Sequence, residues 1–177
     1  MALNKAWDEI KKLSGSSRFI VQFLTDTYEV NVNDRTILSQ PSLLPAEDYL
    51  PVLILHYLLG IKKYGFKIDG KWISFNKTFW PAFHESAIKP LLDYFHQDPD
   101  GLIKDLVERL GGNMVQGGDV AVEVATFPEI FVRMIFWKGD EDLPAEVAIL
   151  FDRGLARIYS MEDVAALLEI MLRKINR

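Results

Sequence analysis

Between Val120 and Phe151 the chain alternates apolar and other residues three times over, and this period of two constrains the fold more than any other stretch. Val120, Val122 and Val124 form the first series, Ile130, Val132, Met134 and Phe136 the second, and Ala145, Val147, Ile149 and Phe151 the third. Successive strand side chains point to opposite faces, so each series predicts a strand with one apolar face. Arg133 and Glu146 lie on the opposite faces among Ile135, Trp137, Ala148 and Leu150. That second face is expected to be half covered, by the apolar helix at Leu50 to Leu59. The unit from Ile130 to Arg177 ends in a helix entered at Ser160, a good N-cap, with Asp163 three residues on able to reach back to it.

The rest of the chain is less regular. Leu3, Trp7, Ile10 and Leu13 space one narrow stripe along a short helix that ends near Ser14-Gly15. Phe19, Val21 and Phe23, then Tyr28, Val30 and Val32, then Thr36-Ile37-Leu38 predict an antiparallel meander. A helix is expected from Ser42 to Leu59, entered through Pro45-Ala46-Glu47-Asp48 and closed by Gly60, with Pro51 in its first turn or at a kink. Asp69-Gly70 between short extended runs predicts a hairpin over Lys67 to Ile73. Ile88, Leu91, Leu92 and Phe95 mark a further helix. Asp98-Pro99 then supplies a capping acid and a first-turn proline for the next one, which Gly111-Gly112 ends.

Composition closes off several function classes. With no cysteine there are no disulfides, thiolate nucleophiles or cysteine-ligated metals, which fits a reducing compartment. The net charge of −5, with basic pairs such as Lys62-Lys63 not interleaved with aromatics, argues against a nucleic-acid partner. The longest apolar run, Tyr49 to Leu59, is far short of the ~20 residues of a membrane helix, and the first residues show no signal-peptide core, so a cytoplasmic protein is expected.

Several blocks resemble one known family. These are Leu53-Ile54-Leu55-His56-Tyr57-Leu58, Trp72-Ile73-Ser74-Phe75, Gly117-Gly118-Asp119, Trp137 through Ala145, Leu150-Phe151-Asp152 and Glu162-Asp163. Together they are similar to a bacterial and archaeal domain of unknown function, numbered 3786 in that series. The resemblance implies a fold and a short list of positions. Its members are sometimes joined to an iron–sulfur module of the kind found with corrinoid enzymes; this chain has no cysteine-bearing module, and Phe131 stands where a second proline after Pro128 is expected.

No residue set points to catalysis. A Gly-x-Ser-x-Gly elbow, a cysteine and a serine with an evident base are all missing, and neither Gly111-Gly112 nor Gly117-Gly118 has the context of a phosphate loop. The acidic loop Gly139-Asp140-Glu141-Asp142 lacks the calcium-loop spacing, so a turn with solvated charges is favoured over a metal site there. Asp152 either faces inward from a strand end or forms an Asx turn, and the turn is favoured. His56, alone among apolar neighbours, is a core histidine or a ligand, base or axial donor, with the core reading ahead. His84 and His96, twelve apart across a proline, do not make a metal pair. Trp72, Phe75, Phe79, Trp80 and Phe83 either pack together, floor a pocket for a flat ligand or form a protein interface.

The expected architecture is α+β, one domain over residues 1–177, with a largely antiparallel sheet and helices packed mainly on one face. The expected function is a small-molecule-binding module for a ligand that is planar or tetrapyrrole-like, with His56 and Tyr57 lining a pocket between the Leu50 to Leu59 helix and the sheet. A protein-interaction or accessory subunit using Trp72 to Phe83 is the alternative, and a metal-dependent enzyme comes third. The ligand-binding positions singled out are His56, Tyr57, Trp72, Trp80, Asp140 and Asp152; no catalytic residue, metal or cofactor is assigned.

Overall fold

The computed structural model describes residues 2–65, 68–75 and 81–175. Helix α1 (Ala2–Leu13) precedes the meander β1 (Arg18–Phe23), β2 (Asp26–Asn31) and β3 (Thr36–Gln40). Next come α2 (Leu50–Tyr64), β4 (Trp72–Ser74), a short α3 (Pro81–Phe83) that passes through a π-helical turn (His84–Ile88) into α4 (Lys89–Gln97), and α5 (Pro99–Glu108). Strands β5 (Asn113–Val115), β6 (Val120–Phe127), β7 (Ile130–Trp137) and β8 (Glu146–Asp152) follow, then a 3₁₀ turn (Arg153–Arg157) and α6 (Met161–Arg173). The fold is α+β, as the sequence predicts.

The strands divide into two antiparallel sheets where one was expected. The meander β1-β2-β3 stands by itself, and the second sheet has the order β4-β8-β7-β6-β5. One backbone bond, Leu24 N–H to the Thr126 carbonyl at 2.8 Å, ties the meander to β6.

The alternation read from the sequence sets which face is covered. Val122, Val124, Val132, Met134, Phe136, Ile149 and Phe151 are all buried, and the helices pack on that side. Phe95 of α4 sits 4.8 Å, centroid to centroid, from Phe136 of β7. Tyr57 of α2 stacks on Phe127 of β6 at 4.7 Å, and the Tyr159 hydroxyl donates to the Leu53 carbonyl at 2.8 Å. Each such fully buried large side chain stabilises the fold by about 1.5–3 kcal/mol. Helix α2 therefore lies on the core face, not over the second face as expected. On that second face Trp72 lies over the Arg133 guanidinium at 4.3 Å, and Arg133 donates to Glu123 at 2.7 Å.

Three boundaries depart from the sequence reading. Helix α2 starts at Leu50, with Pro51 in its first turn, because residues 42–48 form a loop with Leu43 and Asp48 at positive φ. It also runs past Gly60 to Gly65: a Cβ at Gly60 would come within 2.7 Å of Ile158, so that glycine serves close packing and the helix stops at Gly65, φ 56°. Among the described residues Asp69-Gly70 makes no hairpin, Lys67 of the expected first arm lying outside them; β4 pairs with β8, far along the chain. Its side-chain and backbone bonds, described below, explain why.

Candidate functional site

Strand β8 has two ends that differ in how their backbone groups are satisfied. Residues 150–152 pair with β4 on one side, while β7 pairs along β8 on the other. Beyond Ser74 the edge closes with Phe75 N–H to the Ile149 carbonyl at 2.9 Å. In an antiparallel ladder alternate residues turn their N–H and C=O to opposite neighbours. Ile149 faces β4, so Val147 faces the same way. Among the described residues nothing pairs with Glu146, Val147 or Ala148 on that side.

At the closed end the Asp152 carboxylate collects three backbone donors: Asp69 N–H at 2.9 Å, Gly70 N–H at 2.7 Å and Gly154 N–H at 2.7 Å. The last bond caps the 3₁₀ turn as an Asx turn, the arrangement favoured from sequence. The first two draw residues 69–70 over the strand end, and Arg153 donates to Asp69 at 2.6 Å to hold the loop from outside. This is why Asp69-Gly70 leaves its local partner. Asp152 is 6% exposed and its oxygens are turned onto amides, so it is a structural anchor.

A second carboxylate organises the start of α6. Asp163 and Ser160 form the expected capping box, with Ser160 Oγ accepting from Asp163 N–H and Asp163 Oδ2 accepting from Ser160 N–H. Asp163 also accepts from the Tyr49 hydroxyl at 3.1 Å and lies 3.1 Å from His56 Nδ1. Burial alone would raise this carboxyl, but the bonds from His56, Ser160 and Tyr49 and the nearby imidazole hold it below its ordinary value. With Asp163 ionised it can only accept, so Nδ1 of His56 is the donor in this contact. The imidazole is 27% exposed.

Between the stretch Pro144 to Ile149 and the helical layer lies a cleft of about 450 Å³. Phe75, Phe83, Ile88, Leu92 and Val147 give it apolar walls, and His84 and Glu146 stand among its polar lining. Phe75 and Phe83 meet edge to face at 5.0 Å. The wall passes through the π-helical turn, where the Lys89 N–H reaches back to the His84 carbonyl. Pro90 has no N–H to give and its ring would press on the carbonyl four residues before, so the helix widens by one residue just ahead of it. A smaller cleft of about 290 Å³ lies between the meander, residues 42–48 and α6, crossed by the ion pairs Lys174–Asp26 and Arg173–Asp48.

Residues 10–174 match the family described as Domain of unknown function (DUF3786). The chain belongs to that family. No curated protein and no solved structure matches it. Within the family blocks quoted above, the structure gives several positions folding roles. Asp140 accepts from Asp142 N–H and Leu143 N–H, both at 2.9 Å, in a turn that Gly139 (φ 71°) enters. A Cβ at Gly139 would come within 2.6 Å of backbone atoms of Leu143 and Ala145, so that position is glycine for want of space.

The singled-out residues thus fall in separate places. His56 sits in the Asp163 cluster, while its neighbour Tyr57 is buried against Phe127 and donates to the Pro128 carbonyl at 3.4 Å. Trp72 and Asp152 share the β4–β8 junction, Asp140 lies on the exposed β7–β8 loop, and Trp80 lies outside the described residues. The space between α2 and the sheet, expected to hold a pocket, is filled by Tyr57, Phe127 and Tyr159. Among the described residues no three His, Asp or Glu side chains converge as metal ligands, and no helix is long and apolar enough to cross a membrane. Sequence reading missed Ile88, Leu92 and Val147 as site residues.

Proposed function

We propose that the chain is a binding module, without catalytic chemistry of its own, whose ligand lies in the cleft between β8 and the α3–α4 helix. The observation that carries this is the cleft's make-up: about 450 Å³, apolar side chains from three elements, and a few polar groups at its edge. Ligand sites run from ~300 to ~1,000 Å³ with this kind of lining. The π-helical turn in its wall is a second support, since such turns recur at functional sites. Ser74, Phe75 and Phe83 bring part of the Trp72 to Phe83 stretch into the lining, so the cleft serves the small-molecule and the protein-interaction readings alike. The cysteine-free sequence suits a reducing, cytoplasmic setting in bacteria. Ile88→Trp places an indole in the cleft. Compounds that native mass spectrometry finds on the wild-type chain are expected to be lost from this variant while its circular dichroism is unchanged; retention of all of them places the ligand elsewhere.

A second reading rests on His56. Its Nδ1 bond to a buried carboxylate is the arrangement that fixes a histidine for metal or haem ligation through Nε2. Titration with haem and corrinoids reads it directly: a Soret or corrinoid shift present in the wild type and absent from His56→Ala supports it, and no spectral change removes it.

A further inference from the structure

We infer that the smaller cleft, between the meander, residues 42–48 and α6, is a second binding site, independent of the one proposed above, and that it takes a free α-amino acid with an aliphatic side chain. The argument starts from Tyr28 of β2. The residue is 8% exposed and its ring packs in the core, yet among the described residues its hydroxyl makes no hydrogen bond. No side-chain oxygen or nitrogen among them is both fully covered and unpaired, so the Tyr28 oxygen is still reached from outside, and the opening that Tyr28 lines is this cleft. Burial and then the charges of Asp26 and Glu47, both in the same lining, push the phenol above its ordinary value, so near neutrality it keeps its hydrogen to donate. A buried tyrosine hydroxyl ordinarily finds a partner. This one is turned toward a space where a ligand can supply the acceptor.

The walls around that hydroxyl set the chemistry of the occupant. Ser39, opposite Tyr28 in the β2–β3 ladder, holds the loop at 42–48 in place: its Oγ accepts from Leu44 N–H at 3.2 Å and its own N–H donates to the Leu44 carbonyl at 2.8 Å. From α6, Lys174 pairs with Asp26 and Arg173 with Asp48, the latter at 3.0 Å. An ammonium has three N–H donors and a guanidinium five, so both cations keep donors beyond those pairs. Together with the Tyr28 hydroxyl they suit one carboxylate. Glu47 lies in the same lining and among the described residues has no cationic partner within 4.0 Å, which suits one ammonium. Leu44, Leu50 and Ile170 add an apolar wall. A carboxylate, an ammonium and an aliphatic branch on one carbon satisfy all three, and a volume of about 290 Å³, at the small end for ligand sites, matches a molecule of that size.

The test is isothermal titration of the full chain with L-leucine, with 4-methylpentanoic acid, which lacks its amine, and with 3-methylbutylamine, which lacks its carboxylate. Saturable binding of leucine is expected, at least tenfold tighter than that of either analogue. Tyr28→Phe removes only the hydroxyl and should weaken leucine at least fivefold with the melting temperature unchanged. Glu47→Gln, at an exposed position, should weaken leucine at least tenfold while leaving 4-methylpentanoic acid as it was, a selectivity that a general disturbance of the loop would not produce. No saturable binding of leucine overturns the proposal. Equal affinity for 4-methylpentanoic acid overturns the ammonium assignment, and undiminished binding by Tyr28→Phe overturns the hydroxyl on which the site rests. Ile88→Trp, in the larger cleft, should leave leucine binding unchanged; a loss there moves leucine to that cleft and overturns the second site, whereas failure of leucine on the wild type leaves the larger cleft untouched.

Discussion

The two ends of β8 are built from the same kind of residues and solve the same problem in opposite ways. At the Asp152 end every outward-facing backbone group meets β4 or the loop at 69–70, and the carboxylate itself is spent on three amides. At the Val147 end the strand lines a cleft with apolar walls. The difference separates two meanings of an acidic residue near a strand terminus. Where the oxygens turn inward onto N–H groups, as in Asp152, Asp140 and Asp163, the residue holds the fold. Where an acid is exposed in the lining of the cleft, as Glu146 is, it is placed to meet a ligand.

Substitutions at the two ends are expected to separate stability from binding. The largest loss belongs to Asp152→Ala, which orphans three amides at a buried position; about 3 kcal/mol is expected in urea denaturation. A loss below about 1 kcal/mol would erase the distinction drawn between the ends. Asp163→Asn comes next, at about 2 kcal/mol, because it weakens the helix cap and the bonds from Tyr49 and His56 together.

The pH dependence of that second variant has a definite sign. The Asp163 carboxyl titrates below its ordinary value in the folded chain, so its contribution is complete above the unfolded aspartate pKa, about 3.9, and is lost as pH falls through the lower folded value. The stability gap between wild type and Asp163→Asn should therefore be constant near neutrality and shrink below about pH 4. A gap that widened in acid would contradict the assignment of an ionised, hydrogen-bonded carboxylate.

Smaller effects lie nearer the cleft. Gly139→Ala meets both a positive φ and a backbone clash and should cost about 1.5 kcal/mol by thermal denaturation. Glu146→Lys, at an exposed position in the cleft lining, should change stability by less than about 0.5 kcal/mol while altering ligand binding. If it destabilised the chain as much as Gly139→Ala, the Val147 end would be structural too.

Much of this arrangement was legible in the residues themselves. The alternation over Val120 to Phe151 specified three strands and their core face, and Ser160 with Asp163 specified the capping box, because both signals are local. Asp98-Pro99 likewise started α5 where predicted, with Asp98 accepting from Gly101 N–H at 2.9 Å. What failed was decided by distant partners. Asp69-Gly70 reads as a hairpin until Asp152, far along the chain, offers its carboxylate; Gly60 reads as a helix stop until Ile158 packs on it; and Pro45 to Asp48 reads as a helix start although Asp48 holds a positive φ. The cleft was hidden for the same reason, since its walls come from β4, the π-helical turn, α4 and β8.

Hydrogen exchange along β8, followed residue by residue in the free chain, tests the account most directly. The amide of Phe151, in the stretch where β4 and β8 pair, and that of Ala148, turned toward β7, should be strongly protected in the free chain, and a compound that native mass spectrometry finds on the wild type should slow exchange at Val147 and Ile149, which line the cleft, more than at Phe151. Slowing at Phe151 with Val147 and Ile149 unchanged would contradict the cleft on which the proposed function stands.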